Sequence, residues 1–120
     1  MGPRMKLMQW LVFLACGEHL KDPQSIQAKF DELQGDGAMQ YAMSECRGGA
    51  EKTGLPCDSS RHYESKSVAA KMLDGSWVGW TYWYGGGKHG EPESIPWMKD
   101  AYDVQMVEVQ KTVKEFSRVE

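Results

Sequence analysis

The spacing of apolar residues changes along the chain and separates helix-like from strand-like segments. One stripe of a helix is predicted by three apolar residues spaced by four and three positions: Ile26, Phe30 and Leu33. Asp22 can cap this helix, and Pro23 suits its first position. Gly35 follows and favours its end. We therefore expect a helix over Pro23–Gln34.

The segment His62–Tyr84 predicts a β-hairpin, because Asp74 and Gly75 lie between two strand-like runs. A two-residue turn there would place Met72 opposite Trp77. Residues of alternate parity in the second strand lie on opposite faces. One face then carries Trp77 and Trp83, and the other carries Trp80, Tyr82 and Tyr84. Since both faces are apolar, the sheet is either covered on both sides or exposes an aromatic surface.

Four other segments show weaker patterns. Ala38–Ser44 fits a short strand or a helical turn, and the glycine-rich Cys46–Ser60 is expected to be a long loop. Apolar pairs at helical spacing predict a short helix over Ser94–Tyr102. Alternating valines predict a final strand region over Met106–Val119. The sequence therefore predicts an α+β fold, a small antiparallel sheet with a central β-hairpin packed by two short helices.

The N-terminal segment is the most apolar run of the chain. Leu7–Cys16 is interrupted only by Gln9 and follows Arg4 and Lys6, an order that resembles a short signal peptide. No small-residue cleavage site follows, and the run is too short to span a bilayer. We interpret it as a buried strand or helix of the core, and a processed segment is the alternative.

Composition limits the class of protein and of partner. The 120 residues are 41% hydrophobic and 26% charged, as expected for one globular domain over residues 1–120. The net charge of -3 argues against a nucleic acid as partner, because nucleic-acid-binding domains usually carry a basic face. Three cysteines form an odd and sparse set, which favours a reducing cytoplasm over a disulfide scaffold. No membrane association is expected.

A zinc site is one candidate for chemistry. The chain offers four thiol or imidazole side chains of the kind that zinc prefers: Cys46, Cys57, His62 and His89. Their spacing lacks the paired cysteines of a zinc knuckle, and free loop cysteines with a surface histidine are the more common outcome. A small zinc protein or enzyme is therefore the alternative function. The primary expectation is a protein with no catalytic residues and no cofactor.

A binding surface is the stronger candidate, because tyrosine and tryptophan dominate the energetically important residues of protein interfaces. We expect a contact surface with seven members: Trp80, Tyr82, Tyr84, Lys88, His89, Glu91 and Glu93. The partner is expected to be another protein. A homodimer is the alternative way to cover an aromatic sheet.

Two segments, Arg61–Ala69 and Asp74–Met98, resemble small bacteriophage- and prophage-encoded proteins of uncharacterised activity. The second includes GWTYWYGGGKHGEPE, and the resemblance covers about half of the chain. It implies a bacterial or viral cytoplasmic setting and supplies no activity of its own. Small proteins of such origin often inhibit host machinery. We therefore expect stoichiometric binding to a host enzyme or defence complex, with inhibition as the result.

Overall fold

The computed structural model describes residues 1–86, 95–109, 114 and 116–119. Seven elements occur in this part of the chain: α1 (Pro3–Cys16), α2 (Pro23–Gly35), α3 (Ala38–Cys46), β1 (Glu51–Lys52), β2 (Glu64–Lys71), β3 (Trp77–Tyr84) and β4 (Tyr102–Val104). The four strands form one antiparallel sheet in the order β1-β2-β3-β4. The predicted α+β fold with a central hairpin is confirmed.

Helix α1 is the element that contacts both the sheet and the other two helices. It packs against β3 and β4 on one side and against α2 and α3 on the other. Leu7, Met8, Leu11 and Val12 are completely buried. A helix with neighbours on two sides needs apolar residues around much of its circumference, which explains its lack of a clear apolar stripe. The N-terminal run is thus a core helix.

Helix α2 follows its sequence signals closely. The side chain of Asp22 accepts a hydrogen bond from the backbone N–H of Ser25 at 2.9 Å, as an N-cap should. Its predicted apolar stripe is buried. The helix ends at Gly35, one residue beyond the predicted end. The adjoining segment forms α3, so the helical alternative is the correct one there.

The hairpin forms where predicted, but its register differs by one residue. The N–H of Gly75 donates to the carbonyl of Met72 at 3.0 Å, and the N–H of Met72 donates to the carbonyl of Ser76 at 2.7 Å. Gly75 has a φ of 88°, the left-handed conformation that closes a three-residue loop. Lys71 therefore pairs with Trp77, and the predicted two-residue turn is wrong.

The register shift changes which residues share a face. Val68 pairs with Trp80, and Ala70 pairs with Val78, so these four side chains lie together beneath α1. With the predicted two-residue turn, Val68 and Ala70 would instead have shared a face with Trp77. The division of the β3 aromatic residues between the two faces of the sheet is unaffected, because strand alternation alone determines it.

After the hairpin, one predicted element is wrong, and a second does not appear in the residues that are described there. In place of the end of the helix predicted over Ser94–Tyr102, Tyr102–Val104 form β4, which pairs with β3 from Trp77 to Gly79. A Cβ on Gly79 would lie 2.9 Å from the Tyr102 ring. The missing side chain therefore lets β4 pack closely, and sheet pairing prevails over local helical spacing. Within the described part of Met106–Val119, no residue is in a strand.

Candidate interaction surface

Trp80 is the centre of the core and does not belong to the surface. It is 0% exposed, and its ring centroid lies 6.4 Å from that of Trp10 and 5.2 Å from that of Trp97. Its indole N–H donates to the carbonyl of Arg47 at 2.7 Å. The prediction that Trp80 contacts a partner is wrong, because α1 and the segment before β4 cover the middle of β3.

The same face of β3 continues past the covered part with Tyr82 and Tyr84. Their rings stack with centroids 5.2 Å apart and planes inclined by 18°. Residues two apart in a strand lie on one face, which is why these rings meet. Both side chains are half-buried. The structure therefore brings together two of the aromatic residues predicted for the contact surface and leaves part of each accessible.

Lys66 completes this surface from the neighbouring strand. It pairs directly with Tyr82 in the β2–β3 register. Its ammonium nitrogen lies 5.3 Å from the centroid of the Tyr82 ring and 5.4 Å from that of Tyr84. At these distances the faces of both rings attract the ammonium cation, and this attraction helps to hold the two rings in one orientation. We refer to Lys66, Tyr82 and Tyr84 as the tyrosine platform.

The inner ring of the platform is fixed by the chain that follows α3. The guanidinium carbon of Arg47 lies 4.8 Å from the centroid of Tyr82. The same guanidinium donates a hydrogen bond to the carbonyl of Trp83. A Cβ on Gly48 would lie 3.9 Å from the Tyr82 ring, so the backbone there lies against the ring. Tyr82 is thereby anchored, and Tyr84 is the outer and more replaceable member.

The rim of the platform carries charge of both signs. Glu64 pairs with Tyr84, and its carboxylate lies close to Gly85, where the chain leaves β3. Lys66 supplies a partly exposed ammonium group on the same face. A partner that covers the two rings would therefore meet the Lys66 cation and the Glu64 anion among the described residues at the edge of the contact.

The loop before β2 covers part of the opposite face of the sheet. The hydroxyl of Ser67 donates to the carbonyl of Leu55 at 2.7 Å, and that of Ser65 donates to the carbonyl of Asp58 at 2.7 Å. The segment predicted as one long loop thus contains β1 and a stretch that crosses the sheet. Small polar residues at alternate positions of β2 are the sequence signal for this cover.

The proposed zinc ligands are not assembled in the described part of the chain. No three side chains of His, Cys, Asp or Glu lie close enough there to hold a metal ion. Burial raises the pKa of the Cys46 thiol, and the charge of Glu45 adds to the effect. Cys57 and His62 are exposed, and the Cys57 thiol lies 3.7 Å from the Ser65 hydroxyl.

Zinc binding therefore stays a prediction, which elemental analysis of the purified chain can test. One zinc per chain that is lost on Cys57→Ser would support it, and metal-free protein would contradict it.

Four residues predicted for the contact surface, one of them also a proposed zinc ligand, lie outside the described residues: Lys88, His89, Glu91 and Glu93.

Sequence reasoning missed two residues that shape the platform. The sequence does indicate the position of Lys66, because this residue lies in the predicted strand that the hairpin places opposite the tyrosines. Arg47 had no such signal, because it meets Tyr82 only where the chain that leaves α3 passes the sheet.

No protein-family model matches the chain, and no curated protein or solved structure shows significant similarity to it. Among the described residues, none of the helices has the length and apolar character required to cross a membrane. The tyrosine platform is therefore the feature of the structure from which a function can be inferred.

Proposed function

We propose that this chain is a protein-binding domain and that the tyrosine platform is its contact surface. The observation that carries the proposal is the stacked, half-exposed pair of Tyr82 and Tyr84 beside the Lys66 ammonium. Tyrosine rings held in one orientation lose little conformational entropy when a partner covers them. Such residues supply much of the binding energy of protein interfaces.

The charge around the platform favours a protein over a single-stranded nucleic acid. Stacked rings can also bind bases, but such sites combine them with a groove that neutralises several phosphates. In the described part, the cations near the rings are Lys66 and Arg47, and Arg47 is buried. One accessible cation on a chain of net charge -3 offers little attraction to a polyanion.

The partner surface that fits best is an apolar or aromatic patch with an acidic group at its edge. That group would meet Lys66, while the patch covers the exposed parts of the two rings. A small domain that binds a larger enzyme in this way can inhibit it stoichiometrically. The resemblance to phage-encoded proteins supports a bacterial host enzyme or defence complex as the proposed target.

Affinity capture from a bacterial lysate, with quantitative mass spectrometry, tests this proposal. Tyr84→Ala removes the outer ring, and Tyr41→Ala is the matched control because Tyr41 is 74% exposed on α3. We expect one host protein to be recovered with the wild-type chain and with Tyr41→Ala, and to be lost with Tyr84→Ala. Equal recovery by all three chains, or recovery of no specific protein, would contradict the proposal.

Sedimentation of the purified chain tests the alternative in which the platform binds a second copy. A dimer that becomes a monomer on Tyr84→Ala, but not on Tyr41→Ala, would assign the platform to self-association. A monomer at all concentrations would leave a different protein as the partner.

A further inference from the structure

A cavity within the described residues lies away from the tyrosine platform, between α1, α3 and the segment before β4. Its volume is about 600 Å³. Sites for small molecules usually have volumes of this order. Arg4 of α1 and Met43 of α3 line it together with the segment from Ile95 to Lys99. Three separate parts of the chain therefore form its walls.

The walls of this cavity are chemically simple. The uncharged lining residues are Met43, Ile95, Pro96, Trp97 and Met98, and the last two are almost completely buried. None of these side chains carries a hydroxyl, amide or carboxylate, and the indole N–H of Trp97 is their one polar group. A ligand with many polar atoms would lose its hydration there without replacement hydrogen bonds. The walls therefore suit an aliphatic or aromatic body.

The two charged side chains that line the cavity are both cations. Arg4 and Lys99 are exposed, and neither forms an ion pair within the described part of the chain. Arg4 also lies in the first turn of α1, which contains no acidic residue. The positive end of the helix dipole adds to its charge. Considering the described residues alone, this side of the cavity is therefore electropositive.

We propose that this cavity binds a small amphiphile, with an apolar body along Met43 and Ile95 and one carboxylate between Arg4 and Lys99. An apolar wall beside two cations that form no ion pair with any described residue is complementary to that combination of groups. An arginine also favours a carboxylate because its guanidinium can donate two parallel hydrogen bonds. This site is independent of the tyrosine platform and of the partner proposed for it.

Three eight-carbon probes test the proposal by calorimetric titration below their micellar concentrations. Octanoate carries the carboxylate, octanol is neutral, and octyltrimethylammonium is cationic. We expect saturable binding of one octanoate per chain, with octanol and octyltrimethylammonium at least about tenfold weaker. Equal affinity for the three probes would overturn the assignment of the cations, and no saturable binding of octanoate would overturn the site.

Charge-neutral variants locate the site. Arg4→Gln and Lys99→Gln should each weaken octanoate binding by about fivefold, because each removes one charge-assisted contact. Lys71→Gln is the matched control, since Lys71 is an exposed lysine of β2 that does not line the cavity. Octanoate binding that is unchanged in both Arg4→Gln and Lys99→Gln would overturn the proposal. Tyr84→Ala should leave it unchanged, so the two proposals fail separately.

Discussion

Asp74 shows how one residue fixes the hairpin and makes it sensitive to pH. One carboxylate oxygen accepts hydrogen bonds from the N–H and hydroxyl of Ser76, and the other lies 3.9 Å from the Lys6 ammonium. The bonds from Ser76 are the main reason that the pKa of Asp74 lies below its ordinary value. The resulting stabilisation is present above the unfolded pKa and is lost as pH falls through the lower, folded pKa.

Asp74→Ala should therefore destabilise the fold at neutral pH and matter less in acid. We expect the free energy of unfolding to fall by about 0.5–1 kcal/mol near pH 7, a modest loss because the carboxylate is exposed. Asp74→Asn keeps an acceptor for Ser76 and should lose less. Urea unfolding at neutral and at acidic pH measures this. A difference between Asp74→Ala and the wild-type chain that is the same at both pH values would contradict it.

The residue types of the turn could be predicted from the sequence, but the number of residues in the turn could not. Asp-Gly serves both a two-residue turn and the three-residue loop in which glycine takes the last, left-handed position. The bonds from Ser76 to Asp74 accompany the longer form, and they involve a residue that the local signal treats as strand. One extra loop residue then shifts every pair in the hairpin.

Strand β4 depends on the absence of a side chain at Gly79. A Cβ there would lie 2.7 Å from a methyl carbon of Val104 and 2.9 Å from the ring of Tyr102. Gly79→Ala should therefore push β4 from the sheet and lower the free energy of unfolding by about 1–3 kcal/mol. Gly35→Ala is the matched control, since a Cβ at this helical residue would meet nothing within 4 Å.

Thermal unfolding of both glycine variants measures this difference. The Gly35→Ala chain should be as stable as the wild-type chain or slightly more stable, because alanine favours helix. If Gly79→Ala unfolded at the wild-type temperature, the close packing of β4 would be contradicted.

Elements with self-contained signals could be predicted, and those that depend on distant partners could not. Helix α2 has its cap, stripe and stop within one short segment. The segment at Tyr102–Val104 has apolar residues compatible with helix or strand, and its state is decided by the open edge of β3. No window of sequence contains that edge, so local spacing gave the wrong element.

Because α1 contacts both the sheet and the other two helices, the sheet and the helices should unfold together. Leu11 is 0% exposed in α1, whereas Leu14, in the same helix, is 47% exposed. Leu11→Ala should lower the free energy of unfolding by about 2–5 kcal/mol, and Leu14→Ala by well under 1 kcal/mol. Helical circular dichroism and tryptophan fluorescence should give the same midpoint in each variant.

Separate midpoints for the two signals in Leu11→Ala would show that the sheet and the helices are independent units. That result would contradict the central position of α1.

For the candidate surface too, the sequence predicts which residues share a face but not which of them are covered. Strand alternation places Trp80, Tyr82 and Tyr84 on one face, which the sequence alone establishes. Which of them is covered depends on where α1 lies, and that follows from the packing of the entire chain. The sequence therefore predicts the two tyrosines of the platform correctly. It wrongly includes Trp80, which is buried, and it omits Lys66, which lies over the Tyr82 ring.

The most direct test of the protein-binding proposal is the dissociation constant of the captured partner for two variants, measured by calorimetry with purified proteins. Tyr84→Ala should weaken binding by about tenfold or more, as expected for an interface residue of this type. Tyr41→Ala should stay within about twofold of the wild-type value. Equal dissociation constants for the wild-type chain and a folded Tyr84→Ala variant would contradict the tyrosine platform as the contact surface.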